Sequence, residues 1–87
     1  MTEVEQIARG LTKAQREIVL SLPASGDFGP AASHRTAKYM WYGIGDGRAE
    51  GRGVRLVDHQ YMTVNSWCLN PLGLRVRQWL MENDDAD

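Results

Sequence analysis

The most constraining feature of this chain is the junction Cys68-Leu69-Asn70-Pro71. Asn70 is a favourable N-cap, because its side-chain oxygen can accept a hydrogen bond from an otherwise unpaired amide of the first helical turn. Pro71 then occupies the first helical position, where the missing N–H group costs no hydrogen bond. The apolar residues that follow fall on one helical face: Leu72, Val76, Trp79 and Leu80. The sequence therefore predicts a strand that runs directly into an amphipathic helix.

Two more helices are predicted in the first 22 residues. Residues 3–9 form a short candidate helix, and Gly10 is a typical residue just past a helix C-terminus. Thr12 and Gln15 have the spacing of a capping box, which predicts the start of a second helix. Its apolar residues repeat every three to four positions: Leu11, Ala14, Ile18 and Leu22. Pro23 ends this helix.

The middle of the chain predicts a turn region followed by a third helix. Residues 23–30 are rich in Gly, Pro, Ser and Asp, and Phe28 is the predicted anchor of this turn in the core. Residues 31–42 are predicted to be helical. Five glycines within residues 43–53 argue against a long helix in that stretch, because each costs about 1 kcal/mol relative to Ala in a helix interior.

Two β-like runs follow, over residues 54–58 and 61–69, and they predict a hairpin with its turn between Asp58 and Asn65. A single contiguous core is expected, joined by at least one tryptophan. Its predicted members are Ile18, Leu22, Met40, Leu56, Leu69, Val76 and Leu80.

Two of these segments resemble MarR-type winged-helix regulators and small prophage winged-helix proteins. Residues 11–22 are similar to the L-T-x-x-Q-R-x-I-L-x-L pattern of the first core helix in those domains. Residues 69–73, Leu-Asn-Pro-Leu-Gly, are similar to the L-T-P-x-G segment that closes their wing. The resemblance covers residues 11–80. It implies an α+β fold, a small and mostly helical winged-helix-like domain with three N-terminal helices, a β-hairpin wing and a C-terminal helix.

The chain departs from that family between Pro30 and Val54. A regulator of this type places a scaffold helix and then a full recognition helix before the wing. Here 23 residues separate Pro30 from Val54, and their second half is rich in glycine. Two assignments remain open: residues 31–42 are themselves the recognition helix, or a short helix around residues 48–52 replaces it.

Charge is distributed unevenly along the 87 residues, although the net charge is only −1. Residues 1–81 carry ten Lys and Arg against seven Asp and Glu, whereas residues 82–87 carry four acidic side chains and no basic one. We therefore expect one mildly basic domain over residues 1–81 and an acidic, disordered tail over residues 82–87.

The sequence predicts a cytoplasmic protein without a membrane partner. No apolar run approaches the roughly 18 residues that a membrane span needs, and the acidic start of the chain does not resemble a signal peptide. Cys68 is the single cysteine, so an intramolecular disulfide cannot form.

No enzymatic chemistry is expected. The soft metal ligands are His34, His59 and Cys68, and no pair of them has the spacing of a zinc motif. We expect His34 to be exposed, His59 to lie in a turn beside Asp58, and Cys68 to be buried in a strand. The glycine-rich run that begins at Gly43 lacks the G-x-G-x-x-G pattern of a phosphate loop. Neither a metal nor a cofactor is therefore predicted.

The remaining signal is basic and aromatic. Arg35, Lys38, Tyr39 and Tyr42 recur at spacings of three and four, which places them on one side of the third predicted helix. Candidate DNA contacts lie at the start of this helix and in the stretch that follows it: Ser33, His34, Arg35, Lys38, Arg48, Arg52 and Arg55.

These features predict a small cytoplasmic winged-helix protein that binds double-stranded DNA as a phage- or prophage-type transcriptional regulator, and they leave open whether it acts as a homodimer. The alternative is a non-enzymatic protein-interaction module on a winged-helix scaffold that has lost DNA reading. In that case a host protein is the partner, and Trp41 or Trp67 is an exposed anchor for it.

Overall fold

The computed structural model describes residues 2–43 and 54–83. Its elements are α1 (Glu3–Arg9), α2 (Lys13–Ser21), α3 (Arg35–Tyr42), β1 (Val57–Tyr61), β2 (Asn65–Leu69) and α4 (Pro71–Glu82). The predicted α+β class and the order helix, helix, helix, hairpin, helix are confirmed. Residues 44–53, with the alternative recognition helix predicted around residues 48–52, lie outside the described residues.

Side-chain caps determine where the helices begin. Thr12 accepts a hydrogen bond from the amide of Gln15 at 3.2 Å, and the Gln15 side chain accepts one from the amide of Thr12 at 3.0 Å. The Asn70 side chain accepts a hydrogen bond from the amide of Gly73 at 2.7 Å, with Pro71 at the first helical position. Both predicted caps are confirmed.

Helix α3 begins at Arg35, four residues later than predicted. Ala31 forms an antiparallel bridge with Ser66, and the amide of Ala32 donates to the carbonyl oxygen of Asn65 at 3.1 Å. Ala31 is therefore held against the edge of β2 and residues 32–33 form a turn, so the helix begins only after them. His34 caps the shortened helix, because its Nδ1 accepts a hydrogen bond from the amide of Ala37 at 3.3 Å.

Strands β1 and β2 form an antiparallel hairpin whose register runs from Val57 opposite Leu69 to Tyr61 opposite Asn65. The turn therefore falls at residues 62–64, inside the predicted interval. The predicted strand limits were wrong by several residues, because Tyr61 closes the first strand. His59 is not a turn residue, since it lies in the middle of β1 opposite Trp67.

The outer edge of β2 is covered by residues 23–32. The amide of Leu69 donates to the carbonyl oxygen of Pro23 at 2.9 Å, and the amide of Trp67 donates to the carbonyl oxygen of Pro30 at 3.2 Å. Gly29 passes so close to β2 that an added Cβ would overlap the Trp67 carbonyl oxygen. This segment thus acts as a third, irregular strand.

The predicted role of Phe28 in this turn was wrong, because its side chain is 67% exposed. The polar side chain of Gln60 holds the turn instead. Buried Gln60 accepts a hydrogen bond from the amide of Gly26 at 2.9 Å and donates to the carbonyl oxygen of Asp27. A third bond joins Gln60 to the Ser66 hydroxyl at 3.1 Å.

One apolar core joins the four helices to the hairpin. All seven predicted members belong to it, together with Trp67, so this prediction is confirmed: Ile18, Leu22, Met40, Leu56, Leu69, Val76 and Leu80. Helix α4 packs on α1, α2 and β2, and α3 packs on α2 and β1. Ala14, predicted to be on the apolar face of α2, is exposed.

Helix α4 extends to Glu82, and Asn83 caps its end by donating from its side chain to the carbonyl oxygen of Trp79 at 2.8 Å. The expected disordered tail therefore cannot begin at Glu82. Residues 84–87 lie outside the described residues. Within residues 2–43 and 54–83, no helix has both the length and the apolar character needed to cross a membrane.

Candidate nucleic-acid interface

Helix α3 has one face in the core and one face in solvent. Ala37 and Met40 are fully buried. On the opposite side lie four exposed residues at positions i, i+3, i+4 and i+7, called here the α3 stripe: Arg35, Lys38, Tyr39 and Tyr42. In the part of the chain that the structure describes, neither Arg35 nor Lys38 has a hydrogen-bond or ion-pair partner, so both cations are available to a ligand.

The start of the α3 stripe lies beside the turn end of the hairpin. The backbone bond from Ala32 to Asn65 joins the two, and the amide of His34 donates to the Ala31 carbonyl oxygen at 2.9 Å. Ser33 and His34 are exposed, as expected for His34. His34 Nδ1 is already occupied by its cap bond, so this nitrogen is not free to contact a phosphate.

The other end of the α3 stripe receives a cation from a distant part of the chain. The Arg55 guanidinium lies 5.1 Å from the ring centroid of Trp41, within the range of a cation–π interaction. The ring of Trp41 is 5.2 Å from that of Tyr42. Arg55 is therefore brought beside α3, a position that the sequence did not predict. Arg48 and Arg52 lie outside the described residues.

Aromatic rings connect α3 to the hairpin. Trp41 is 6.1 Å from Trp67, Trp67 is 4.7 Å from His59, and His59 is 4.5 Å from Tyr61, measured between ring centroids. Sequence reasoning missed this row, because the pairing of His59 with Trp67 depends on the strand register. The row holds the exposed face of α3 at a fixed position relative to β1.

Two nitrogens in the aromatic row, His59 Nε2 and Trp67 Nε1, are buried without a hydrogen-bond partner. Each such group costs about 1–3 kcal/mol of stability. Trp67 is only 3% exposed, so it is not the exposed anchor that the alternative prediction required. Trp41 is half-buried between Arg55, Tyr42 and Trp67.

Two cations elsewhere in the described region, Arg9 and Arg77, have structural roles. Arg9 forms an ion pair with Glu5 at 3.1 Å and lies over the ring of Trp79. Arg77 donates to the carbonyl oxygen of Leu22 at 3.0 Å and so ties α4 to the end of α2. The cations of the α3 stripe differ from these in being free of such contacts.

Cys68 is buried in β2, as predicted. Burial raises the pKa of its thiol, the charge of Asp58 raises it further, and hydrogen bonds to Ser25 and to the backbone of Asp58 oppose these effects in part. The thiol is therefore protonated at neutral pH and a poor nucleophile. Among the described residues, no three His, Cys, Asp or Glu side chains come together as a metal site would require.

The electrostatic character of the α3 stripe follows from the sequence around it. No acidic residue occurs between Asp27 and Asp46, whereas α3 itself carries two cations.

Comparisons of the chain with models of protein families, with curated proteins and with solved structures found no match. The candidate interface is thus defined by the geometry and charge of its own residues.

Proposed function

We propose that this protein binds double-stranded DNA and that the α3 stripe, together with Arg55, is its contact surface. The observation that carries the proposal is an exposed helix face with two unpaired cations and two tyrosines beside a β-hairpin. Phosphate contacts in protein–DNA complexes come from such cations and from hydroxyl groups. An α-helix with its side chains is about 10–12 Å across and so fits the major groove, which is about 12 Å wide.

The element order supports a winged-helix mode of binding. Helix α3 packs on α2 and on β1, so the hairpin lies beside it in the position of a wing. We take α3 as the recognition helix in this proposal, because its exposed cations and tyrosines lie beside the hairpin; the alternative around residues 48–52 lies outside the described residues. We extend the proposal to a non-enzymatic regulator of transcription, of the phage or prophage type, that acts in the cytoplasm.

Fluorescence anisotropy with a labelled pool of duplex DNA tests this function. We expect saturable binding at low salt, with a log–log salt slope of about −0.9 for each phosphate neutralised. The double variant Arg35→Ala/Lys38→Ala should reduce the magnitude of that slope by about 2. The absence of binding to any duplex pool at low salt would contradict the proposal.

The matched control is Lys13→Ala/Arg75→Ala. Both residues are exposed and lie on α2 and α4, so this variant removes the same charge away from α3. It should bind DNA nearly as well as the wild type. An equal loss in both double variants would indicate attraction by overall charge and not a contact surface on α3.

A second candidate function is protein binding through the tip of the hairpin. Tyr61, Met62 and Val64 are 77%, 43% and 57% exposed, and grouped apolar exposure favours a protein partner, either a host protein or a second copy of this chain. Sedimentation equilibrium over a range of concentrations tests self-association. A nuclease-treated pull-down whose partner is lost in Met62→Ser/Val64→Ser would favour this function over DNA binding.

A further inference from the structure

We infer that the α3 stripe prefers DNA whose bases are unpaired at the point of contact, with Tyr39 and Tyr42 stacking on those bases. This inference rests on the proposed function, because the same surface contacts the DNA. It adds the form of DNA that is bound: a bubble, a mismatch or a locally melted step. Phosphate contacts then come from the flanking cations.

Both tyrosines of the α3 stripe are exposed to solvent. Tyr39 is 57% and Tyr42 is 42% exposed, while Ala37 and Met40 supply the buried face of the same helix. The core therefore does not need either tyrosine ring. Two aromatic rings on one exposed face of an eight-residue helix are available for contact with a ligand.

A tyrosine ring stacks on a base only where the face of that base is exposed. In duplex DNA each base face is covered by its stacked neighbours, so proteins reach only base edges and the backbone. An unpaired base exposes its face, and stacking of such faces on aromatic side chains is the main base contact of single-strand binding surfaces. Tyr39 and Tyr42 are three residues apart and so are neighbours on the helix surface.

The ring of Tyr42 is held in place in the absence of a ligand. The ring of Tyr42 packs against Trp41 with an interplanar angle of 57°. Trp41 is in turn held between the Arg55 guanidinium and the buried ring of Trp67. A side chain ordered in advance loses less conformational entropy on binding, which favours stacking at this position.

Cations flank the two tyrosines and complement the negative charge of a DNA strand. Arg35 and Lys38 lie on the N-terminal side of the tyrosines, and Arg55 lies near their C-terminal side through Trp41. A strand that crosses the α3 stripe thus meets a cation on either side of its stacked bases. Basic side chains interleaved with aromatic rings are the combination by which proteins bind unpaired nucleic acid.

The test compares two labelled duplexes that share one strand, one fully paired and one with a short central bubble, at the same salt concentration. We expect the protein to bind the bubble about tenfold more tightly. One base stacked on an aromatic ring contributes about 1–3 kcal/mol, and about 1.4 kcal/mol corresponds to a tenfold change in affinity. The fluorescence of 2-aminopurine placed in the bubble should be quenched on binding. Equal affinity for the two duplexes would overturn the inference while leaving the proposed function intact, and no binding to either would overturn both.

Variants identify the stacking residues. Tyr39→Ala/Tyr42→Ala should lose the bubble preference and retain duplex binding, whereas Tyr39→Phe/Tyr42→Phe should keep both, because a phenyl ring still stacks. Arg35→Ala/Lys38→Ala should weaken binding to both duplexes. The control is Tyr61→Ala, which removes a tyrosine that is even more exposed, at 77%, from β1 and should keep the preference. Retention of the preference in Tyr39→Ala/Tyr42→Ala, or its loss in Tyr61→Ala, would contradict the assignment to α3.

Discussion

The side chain of Gln60 accepts a hydrogen bond from the amide of Gly26, which lies 34 residues earlier in the chain, at 2.9 Å. Gln60 also bonds the Asp27 carbonyl oxygen and the Ser66 hydroxyl, so one buried amide group joins the turn over residues 23–30 to both strands of the hairpin. Residues 23–32 precede α3, so this contact joins the chain before the candidate interface to the hairpin.

We expect Gln60→Ala to lower the free energy of unfolding by about 1–3 kcal/mol, because it removes three hydrogen bonds, one of them to the buried Ser66 hydroxyl. Urea unfolding followed by tryptophan fluorescence measures this loss. The control is Gln78→Ala, since Gln78 is exposed on α4 and bonds only Glu82. Gln78→Ala should change stability by less than about 0.5 kcal/mol. Similar values for the two variants would show that the Gln60 contacts contribute no net stability.

Gly73 provides a test in which helix propensity and tertiary packing predict opposite results. In an isolated helix, replacing Gly by Ala stabilises by about 1 kcal/mol. At Gly73 an added Cβ would overlap the carbonyl oxygen of Leu56. Asn70 holds the residues just before β1 against the start of α4, because its side chain donates to the Arg55 carbonyl oxygen at 2.8 Å and its amide donates to the Leu56 carbonyl oxygen at 3.0 Å.

We therefore expect Gly73→Ala to destabilise the protein by about 1–3 kcal/mol, the usual cost of overpacking. Thermal unfolding by circular dichroism provides the measurement. Gly10→Ala is the control, because an added Cβ at Gly10 meets its nearest neighbour at an ordinary 3.5 Å and the backbone there has φ −86°. A more stable Gly73→Ala variant would mean that α4 and residue 56 are farther apart than described.

The core assignment is tested by two substitutions on the same helix. Ile18 is 8% exposed and belongs to the core, whereas Leu20 is 42% exposed. Ile18→Ala should cost about 2–4 kcal/mol, enough to unfold much of a domain of this size. Leu20→Ala should cost less than about 1 kcal/mol. The melting temperatures of the two variants measure this difference. A larger loss for Leu20→Ala than for Ile18→Ala would show that the wrong face of α2 has been assigned to the core.

The raised pKa of Cys68 predicts a pH dependence of stability. Burial and the charge of Asp58 keep the thiol protonated in the folded state, whereas in the unfolded chain it ionises at its ordinary, lower pKa. The unfolded state therefore loses its proton first as the pH rises, so the contribution of Cys68 to stability is present at neutral pH and declines in alkaline solution. Cys68→Ala should show a smaller loss of melting temperature between neutral and alkaline pH than the wild type.

Alkylation provides an independent measurement of the same thiol. Iodoacetamide should modify Cys68 much more slowly in the native protein than after denaturation in urea at the same pH. Equal rates in the two states would show that the thiol is accessible and that its pKa is close to the ordinary value.

The sequence alone determined the features that depend on short-range interactions. The capping box at Thr12, the N-cap at Asn70 and the hairpin interval before Asn65 were all predicted, because each arises between residues a few positions apart. The core residues were predicted for a related reason, since helical and strand periodicity decides which side chains can share a face.

Only the tertiary structure decided the features that depend on pairing between distant segments. Helix α3 begins after its first predicted turn because Ala31 pairs with Ser66, and Gln60 holds the turn that Phe28 was predicted to anchor, while Phe28 is exposed. The position of Arg55 beside the α3 stripe likewise depends on a contact with Trp41 across the fold. Which distant segment a residue meets is decided by the packing of the whole chain, and this tertiary context overrides the local propensity of short stretches such as residues 31–34.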